Sequence, residues 1–227
     1  MKNITFWSST SGRSGTSNNM IAVSTMAAVL YSLKTTLVQF DKESMPLNQA
    51  FEDEKHKNML GEEFSFYNRK GLDEVLEKSR LEKVEKSVIT NNLVNVKHTN
   101  LYYMPPSAKT DLELEESLDE HFIHMFFSGM KHFKSLNFID GINGTGEISE
   151  TLLRNSDLIV VNLYQGMDGI EEILENQLVR EKGIFIVGRY DQHSRENLQN
   201  MRRKYNIARE AIGIIPYNIH FHDAVLD

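Results

Sequence analysis

Short apolar runs recur along the chain at positions 4–7, 36–40, 101–104, 136–139, 158–163, 184–187 and 211–215. Most are nearly continuous rather than alternating, as strands are when both faces of a parallel sheet are covered. Helix-like stretches lie between them, at 19–33, 72–90, 112–133, 148–155, 170–182 and 195–205. This alternation predicts an α/β fold, three layers deep, around a mostly parallel sheet of about seven strands. At 227 residues the chain is long enough for one sizeable domain and short for two, so a single domain over 1–227 is expected. The charged stretch 42–70 reads as a solvated excursion.

The polar residues that interrupt this pattern carry the candidate chemistry. After the first strand come ten residues of Ser, Thr, Gly and Arg, and then an Ala-rich helix. A strand, a small-residue loop and a helix in that order form the scaffold of a phosphate-binding loop, whose amides and helix N-terminus attract an anion. Such a turn taken alone is more often structural. The full pattern is G-x-x-x-x-G-K-[ST]. Aligned on Gly15, the chain offers Gly12 and Gly15 for close backbone approach and Ser17 for Mg²⁺, but Thr16 in place of the lysine. The strand at 136–139 runs into Asp140, with Gly141, Gly144 and Gly146 behind it. A strand ending in Asp beside glycines is one way to present a Mg²⁺ carboxylate, and equally an ordinary turn start. The glycine loop on the first strand favours the metal reading.

Composition narrows the field further. A net charge of −7 supplies no global attraction to DNA or to anionic membranes. With no cysteine, disulfides and thiolate metal sites are excluded. No run of about 18 apolar residues appears, so no stable membrane insertion is expected, and the expected location is cytoplasmic.

The order of these motifs resembles the ParA/MinD family of deviant P-loop ATPases over nearly the whole chain. The resemblance is carried by ITFWSSTSGRSGTSNNMIA, TTLVQFD, GLDEVL, LYYMPPS, LNFIDGINGTGEISETLLRNSDLIVVNLYQ, GIFIVGRYD and IGIIPYN. Within the family it points most toward TadZ/CpaE-like proteins of pilus and secretion-system localisation. The family loop reads K-G-G-x-G-K-[ST]. Its two lysines fall on Ser11 and Thr16 here, and its second glycine on Arg13, so the Walker A loop is degenerate.

What the resemblance implies is a site for ATP or ADP with Mg²⁺. Gly12, Arg13, Ser14, Gly15, Thr16, Ser17 and Asn18 would hold the nucleotide, with Arg189 and Pro216 near the base, and Ser17 and Asp140 would hold the metal. Asp41 falls where the family places acidic residues that position the attacking water, with Gln39 beside it. Removing one preorganised donor costs about 10²–10³ in rate, so two missing lysines imply a very slow ATPase at most. The implied function is a nucleotide switch in subcellular positioning or assembly, working as a homodimer that recruits a protein partner, such as pilus or secretion machinery. The alternative is a pseudo-ATPase scaffold that binds no nucleotide. Arg202-Arg203-Lys204 is a concentrated basic patch, but the net charge argues for a solvated face rather than DNA binding. His220, His222 and Asp223 form a weak zinc-like pattern, as do His121 and His124.

Overall fold

The computed structural model describes residues 2–41, 46–51, 71–81, 85–131, 133 and 135–218. The sheet has eight strands: β1 (Lys2–Trp7), β2 (Thr35–Gln39), β3 (Val94–Asn95), β4 (Leu101–Tyr103), β5 (Leu136–Asp140), β6 (Leu158–Leu163), β7 (Gly183–Tyr190) and β8 (Ile212–Pro216). Their order across the sheet is β3-β4-β2-β5-β1-β6-β7-β8, parallel except where β3 meets β4. The expected strands are all present, and the short antiparallel β3 is the addition. Much of the stretch 42–70 and all of His220, His222 and Asp223 lie outside the described residues.

Successive strand residues turn to opposite faces, and both faces are covered. Phe6, Leu37, Phe138 and Val160 pack with Met20 and Ile21 of α1 (Thr16–Val29). On the other face, Val38, Phe40 and Ile139 meet the helices α3 (Leu72–Leu81), α4 (Lys86–Asn91) and α6 (Glu120–Met130). Still on that face, Trp7, Ile159, Val161 and Val187 pack with α8 (Ile170–Glu175), α9 (Gln177–Lys182) and α10 (Leu198–Tyr205). Three layers result, as expected. Short α2 (Leu47–Phe51) follows β2, while α5 (Asp111–Ser117) precedes α6 and α7 (Glu147–Asn155) follows β5.

Several expected helices divide, for local reasons. The stretch 112–133 breaks before Asp119, whose carboxylate accepts the Phe122 N–H at 2.7 Å and caps α6. The stretch 170–182 breaks at Asn176, which accepts the Leu178 and Val179 N–H groups at 2.9 and 3.3 Å. A polar cap costs less than leaving first-turn amides unsatisfied.

Chain order reverses at β1, whose neighbours are β5 and β6. Ligands in open α/β sheets bind at the carboxyl ends of strands at such a switch point. The glycine loop leaves β1 there, and the register pairs Asp140 with Phe6 on one side and Gln39 on the other. Sheet pairing alone thus brings Asp140, the loop and the end of β2 together.

Candidate functional site

The loop enters α1 through Gly15 at φ 67°, with Gly12 also left-handed at φ 73°, a region that side chains with a Cβ rarely adopt. No side chain caps the helix, so its first-turn amides keep their capacity to meet an anion. Helix α1 begins at Thr16, earlier than its apolar pattern suggests, and so Ser17 sits in the first turn.

From there Ser17 Oγ donates to Asp140 Oδ2 across 123 residues of sequence. Gln39 Nε2 donates to the same oxygen at 3.3 Å. Asp140 is wholly buried, and its Oδ1 has no hydrogen-bond partner. Burial pushes its carboxyl up from 3.8 to about 8, opposed by the Ser17 bond, reinforced by the nearby charge of Asp41 and opposed again by Gln39. A hydroxyl, a buried carboxylate with one oxygen orphaned and a second carboxylate close by form a hard oxygen donor set. That set fits Mg²⁺, with Ser17 and Asp140 as the residues that would hold it.

Thr16 is buried and bonds Ser14 Oγ at 3.2 Å and Asn143 Oδ1 at 3.4 Å. Asn143 was not foreseen from sequence. Its Oδ1 also accepts the Ser8 N–H at 2.9 Å, and its Nδ2 donates to Asp41 Oδ2 at 2.5 Å. One amide therefore joins the start of the loop, the first residue of α1 and the end of β2. Next to it, Gly144 accepts from the Trp7 indole N–H at 2.9 Å. Arg13 is exposed and Asn18 half-buried.

The loop is also held from behind. Asn19 Nδ2 donates to Ser14 O at 3.1 Å and to Asn162 Oδ1 at 2.9 Å, while Asn162 Nδ2 donates to Trp7 O at 3.2 Å. Asn162 is the polar residue inside the otherwise apolar run LIVVNL, which was the available signal for it. Gly188 packs against Asn19 and the Ser14 carbonyl, bringing the end of β7 to the loop. Just past it, Arg189 sits at φ 49° and, with Tyr190, Ile214, Pro216 and Tyr217, lines an open cleft of about 670 Å³. Arg189 and Pro216 thus fall together, beside the loop. Asp41, Ser17 and Asp140 likewise converge.

The two His candidates on α6 behave differently. Both are exposed, and His124 faces Glu120 of its own helix at 3.6 Å. Among the described residues no group of three His, Cys, Asp or Glu could hold a metal. In the basic patch, Lys204 Nζ donates to the neighbouring Tyr205 hydroxyl at 2.8 Å. No helix among the described residues is long and apolar enough to cross a membrane.

Sheet order, the glycine loop after β1 and the three layers match the α/β fold of P-loop NTPases. Among solved structures, the chain shares its fold with plasmid-partition and cell-division ATPases of the ParA/MinD type. A ParA family ATPase from Chlorobium tepidum TLS superposes with a TM-score of 0.74 at 13% identity, over 99% of this chain and 89% of that one. A plasmid partition protein from Borrelia burgdorferi B31 bound to AMPPNP gives 0.69 at 19% identity, over 99% and 88%. The septum site-determining protein MinD from Pyrococcus horikoshii OT3, complexed with Mg-ADP, gives 0.68 at 16% identity, over 99% and 85%. No family model matches the sequence, and no curated protein matches it.

Proposed function

We propose that this protein is a ParA/MinD-type nucleotide switch with a degenerate loop, binding ATP or ADP with Mg²⁺ and turning it over very slowly or not at all. The observation that carries this reading is the Ser17–Asp140 pair, buried at the end of the glycine loop with one carboxylate oxygen unsatisfied. A residue that merely starts a turn would lie in water with its oxygens solvated. Nucleotide would bind between the loop and the Arg189–Pro216 cleft, contacting Gly12 through Asn18. Its readout would be dimerisation and recruitment of a protein partner, with pilus or secretion machinery as the partner class that the TadZ/CpaE-like loop suggests.

The test is equilibrium binding of ATP with Mg²⁺ and with EDTA, in wild type and in Asp140→Asn. With no lysine on the phosphates, the metal is the largest positive charge in the site, so binding should depend steeply on Mg²⁺ and weaken in Asp140→Asn. Equal binding in every condition removes the metal site. Binding in none favours the scaffold reading, in which the loop is only architecture.

Hydrolysis is expected to fall well below ~1 s⁻¹, the low end of ordinary enzyme rates. A rate near that value, abolished in Asp140→Ala, would overturn the switch reading in favour of an active ATPase. The Arg202-Arg203-Lys204 patch is expected to show no DNA binding by anisotropy at ~150 mM salt, since affinity for a duplex needs many phosphate contacts. Salt-dependent binding lost on charge reversal there would revive a partition role on DNA.

A further inference from the structure

We infer that the amino-end rim of the sheet, opposite the glycine loop, docks on an anionic lipid surface, with the end of α1 as the part that enters the lipid. This face is separate from the nucleotide site, and the inference does not rest on that reading.

The apolar part is the first reason. From Ser14 to Leu33 the chain carries no charged residue. At the end of this stretch Met26, Val29, Leu30, Tyr31 and Leu33 are between 43 and 71% exposed. Met26, Val29 and Leu30 keep the i, i+3, i+4 spacing that in a soluble helix faces the core, yet here they face solvent. A single exposed apolar residue such as Leu112 is ordinary, whereas five within eight positions form a patch, and such patches mark interaction sites. Their burial is not what shapes the turn. Ser32 reverses the chain at φ 52°, Leu33 N–H donates to Ala27 O at 3.1 Å, and Asn100 Nδ2 donates to Ser32 O at 3.1 Å. Polar bonds fix a tip whose apolar side chains point away from the protein.

Charge selects the occupant. The register aligns Lys2 with Leu136, and Thr35 with both Leu136 and Leu101, so the amino ends of β1, β5, β2 and β4 form one line. Lys2 begins β1, Lys34 precedes β2, Lys97 and His98 lead into β4, and Lys131 follows α6 on the way to β5; all are exposed. Segments 1–40, 86–110 and 121–139, which build this part of the rim, contain no Asp or Glu, although the chain holds 32. Further along, β6 is preceded by Asp157, whose carboxylate accepts the Asn3 N–H at 2.7 Å. The net charge of −7 is therefore carried elsewhere, and salt screens it beyond ~10 Å.

A second copy docked about a two-fold axis would set one row of lysines against another, which is unfavourable. A row of cations across four neighbouring strands spans ~15 Å, and beside an apolar tip it matches a flat anionic surface. The leucines and Tyr31 would enter the interface while the lysines stay among the headgroups.

The test is cosedimentation of the full-length protein with vesicles of phosphatidylglycerol and phosphatidylcholine in equal parts, and of phosphatidylcholine alone, each with and without ATP and Mg²⁺. Binding is expected to the anionic vesicles and not to the neutral ones, weakening as salt rises. It should fall ~10-fold or more in the double variant Leu30→Ser, Tyr31→Ser, which removes the inserted groups. A similar ~10-fold loss is expected in Lys2→Glu, Lys97→Glu, which reverses two charges and leaves the tip intact. Leu112→Ser, at an exposed apolar position on α5, should bind as wild type does. No binding to anionic vesicles in any condition overturns the inference, as does binding that survives both double variants. Equal binding to neutral vesicles removes the charge argument and overturns it too. Self-association in sedimentation velocity, without lipid and lost in the Leu30 and Tyr31 variant, would assign the patch to a second copy instead.

Discussion

In metal-free buffer, Asp140→Asn is expected to melt above the wild-type protein at pH 8 and level with it near pH 4. The reason is linkage. The Asp140 carboxyl is held at about 8 in the folded protein by burial, against an ordinary value of 3.8 in the unfolded chain. Between those values the folded state keeps a proton that the unfolded state has lost, so stability falls as pH rises. The contribution is complete below the unfolded value and gone once pH passes through the folded one. Asn mimics the protonated acid in shape and charge, so the variant escapes this loss. Across that interval the wild-type protein forfeits on the order of a few kcal/mol. For a chain of this size that corresponds to roughly 5–10 °C in melting temperature. Differential scanning calorimetry of both proteins from about pH 4 to pH 8, in EDTA, measures it. Mg²⁺ should narrow the gap at pH 8, because a cation that binds the ionised carboxylate stabilises only the wild-type protein. A variant less stable than wild type at pH 8, or a gap that does not change with pH, would refute the assignment of Asp140 as a desolvated acid.

Much of this site could be read in the chain because its parts are strand ends. Continuous apolar runs predict parallel strands, the carboxyl ends of such strands converge, and so Asp41, Asp140 and the Gly12–Ser17 loop could be placed together before any coordinates. The divisions of the long helices were less legible. Asp119 and Asn176 sit in sequences whose apolar period continues past them, and only capping geometry shows that the chain stops to satisfy amides there. Strand β3 is two residues long, too short to carry a period. The supporting asparagines were hidden for another reason. Asn143 acts through partners 102 to 135 residues distant and Asn162 through Asn19 and Trp7, 143 and 155 residues distant, while Asn19 also reaches back to the Ser14 carbonyl, and an amide's role depends on what it meets. Of the three, Asn162 left a trace, a polar residue in a buried strand, and a buried amide must be bonded. The antiparallel edge and the caps changed the outline of the fold; the asparagines change how the site is understood, since they fix the glycine loop from two sides.

The largest functional effect is expected from a residue that touches no ligand, Gly188 at the end of β7. A Cβ there would lie 2.8 Å from Asn19 Nδ2 and 2.9 Å from Ser14 O, closer than nonbonded carbon approaches either atom. Asn19 is itself fixed, bonded at once to the loop carbonyl and to Asn162, so it cannot swing aside without leaving a buried amide unsatisfied. Ser14 O is backbone and moves only if the loop moves. Gly188→Val adds two further carbons to the same gap. Overpacking of this kind typically costs ~1–3 kcal/mol, and here the strain is relieved in one direction, by pushing the loop away from β7. A loop displaced by about an ångström no longer aims its amides where a phosphate would sit, and misplacement of that size elsewhere costs ~10²-fold. ATP affinity in the presence of Mg²⁺ should therefore fall ~100-fold, while melting temperature drops by only a few degrees. Gly213→Ala is the control, because a Cβ on Gly213 of β8 meets nothing within 4 Å, and both readouts should stay at wild-type values. If Gly188→Val lowers stability and leaves ATP affinity intact, the loop tolerates the shift and is not the phosphate site. If it changes neither, β7 yields instead, and the two asparagines do not hold the loop as rigidly as their bonds imply.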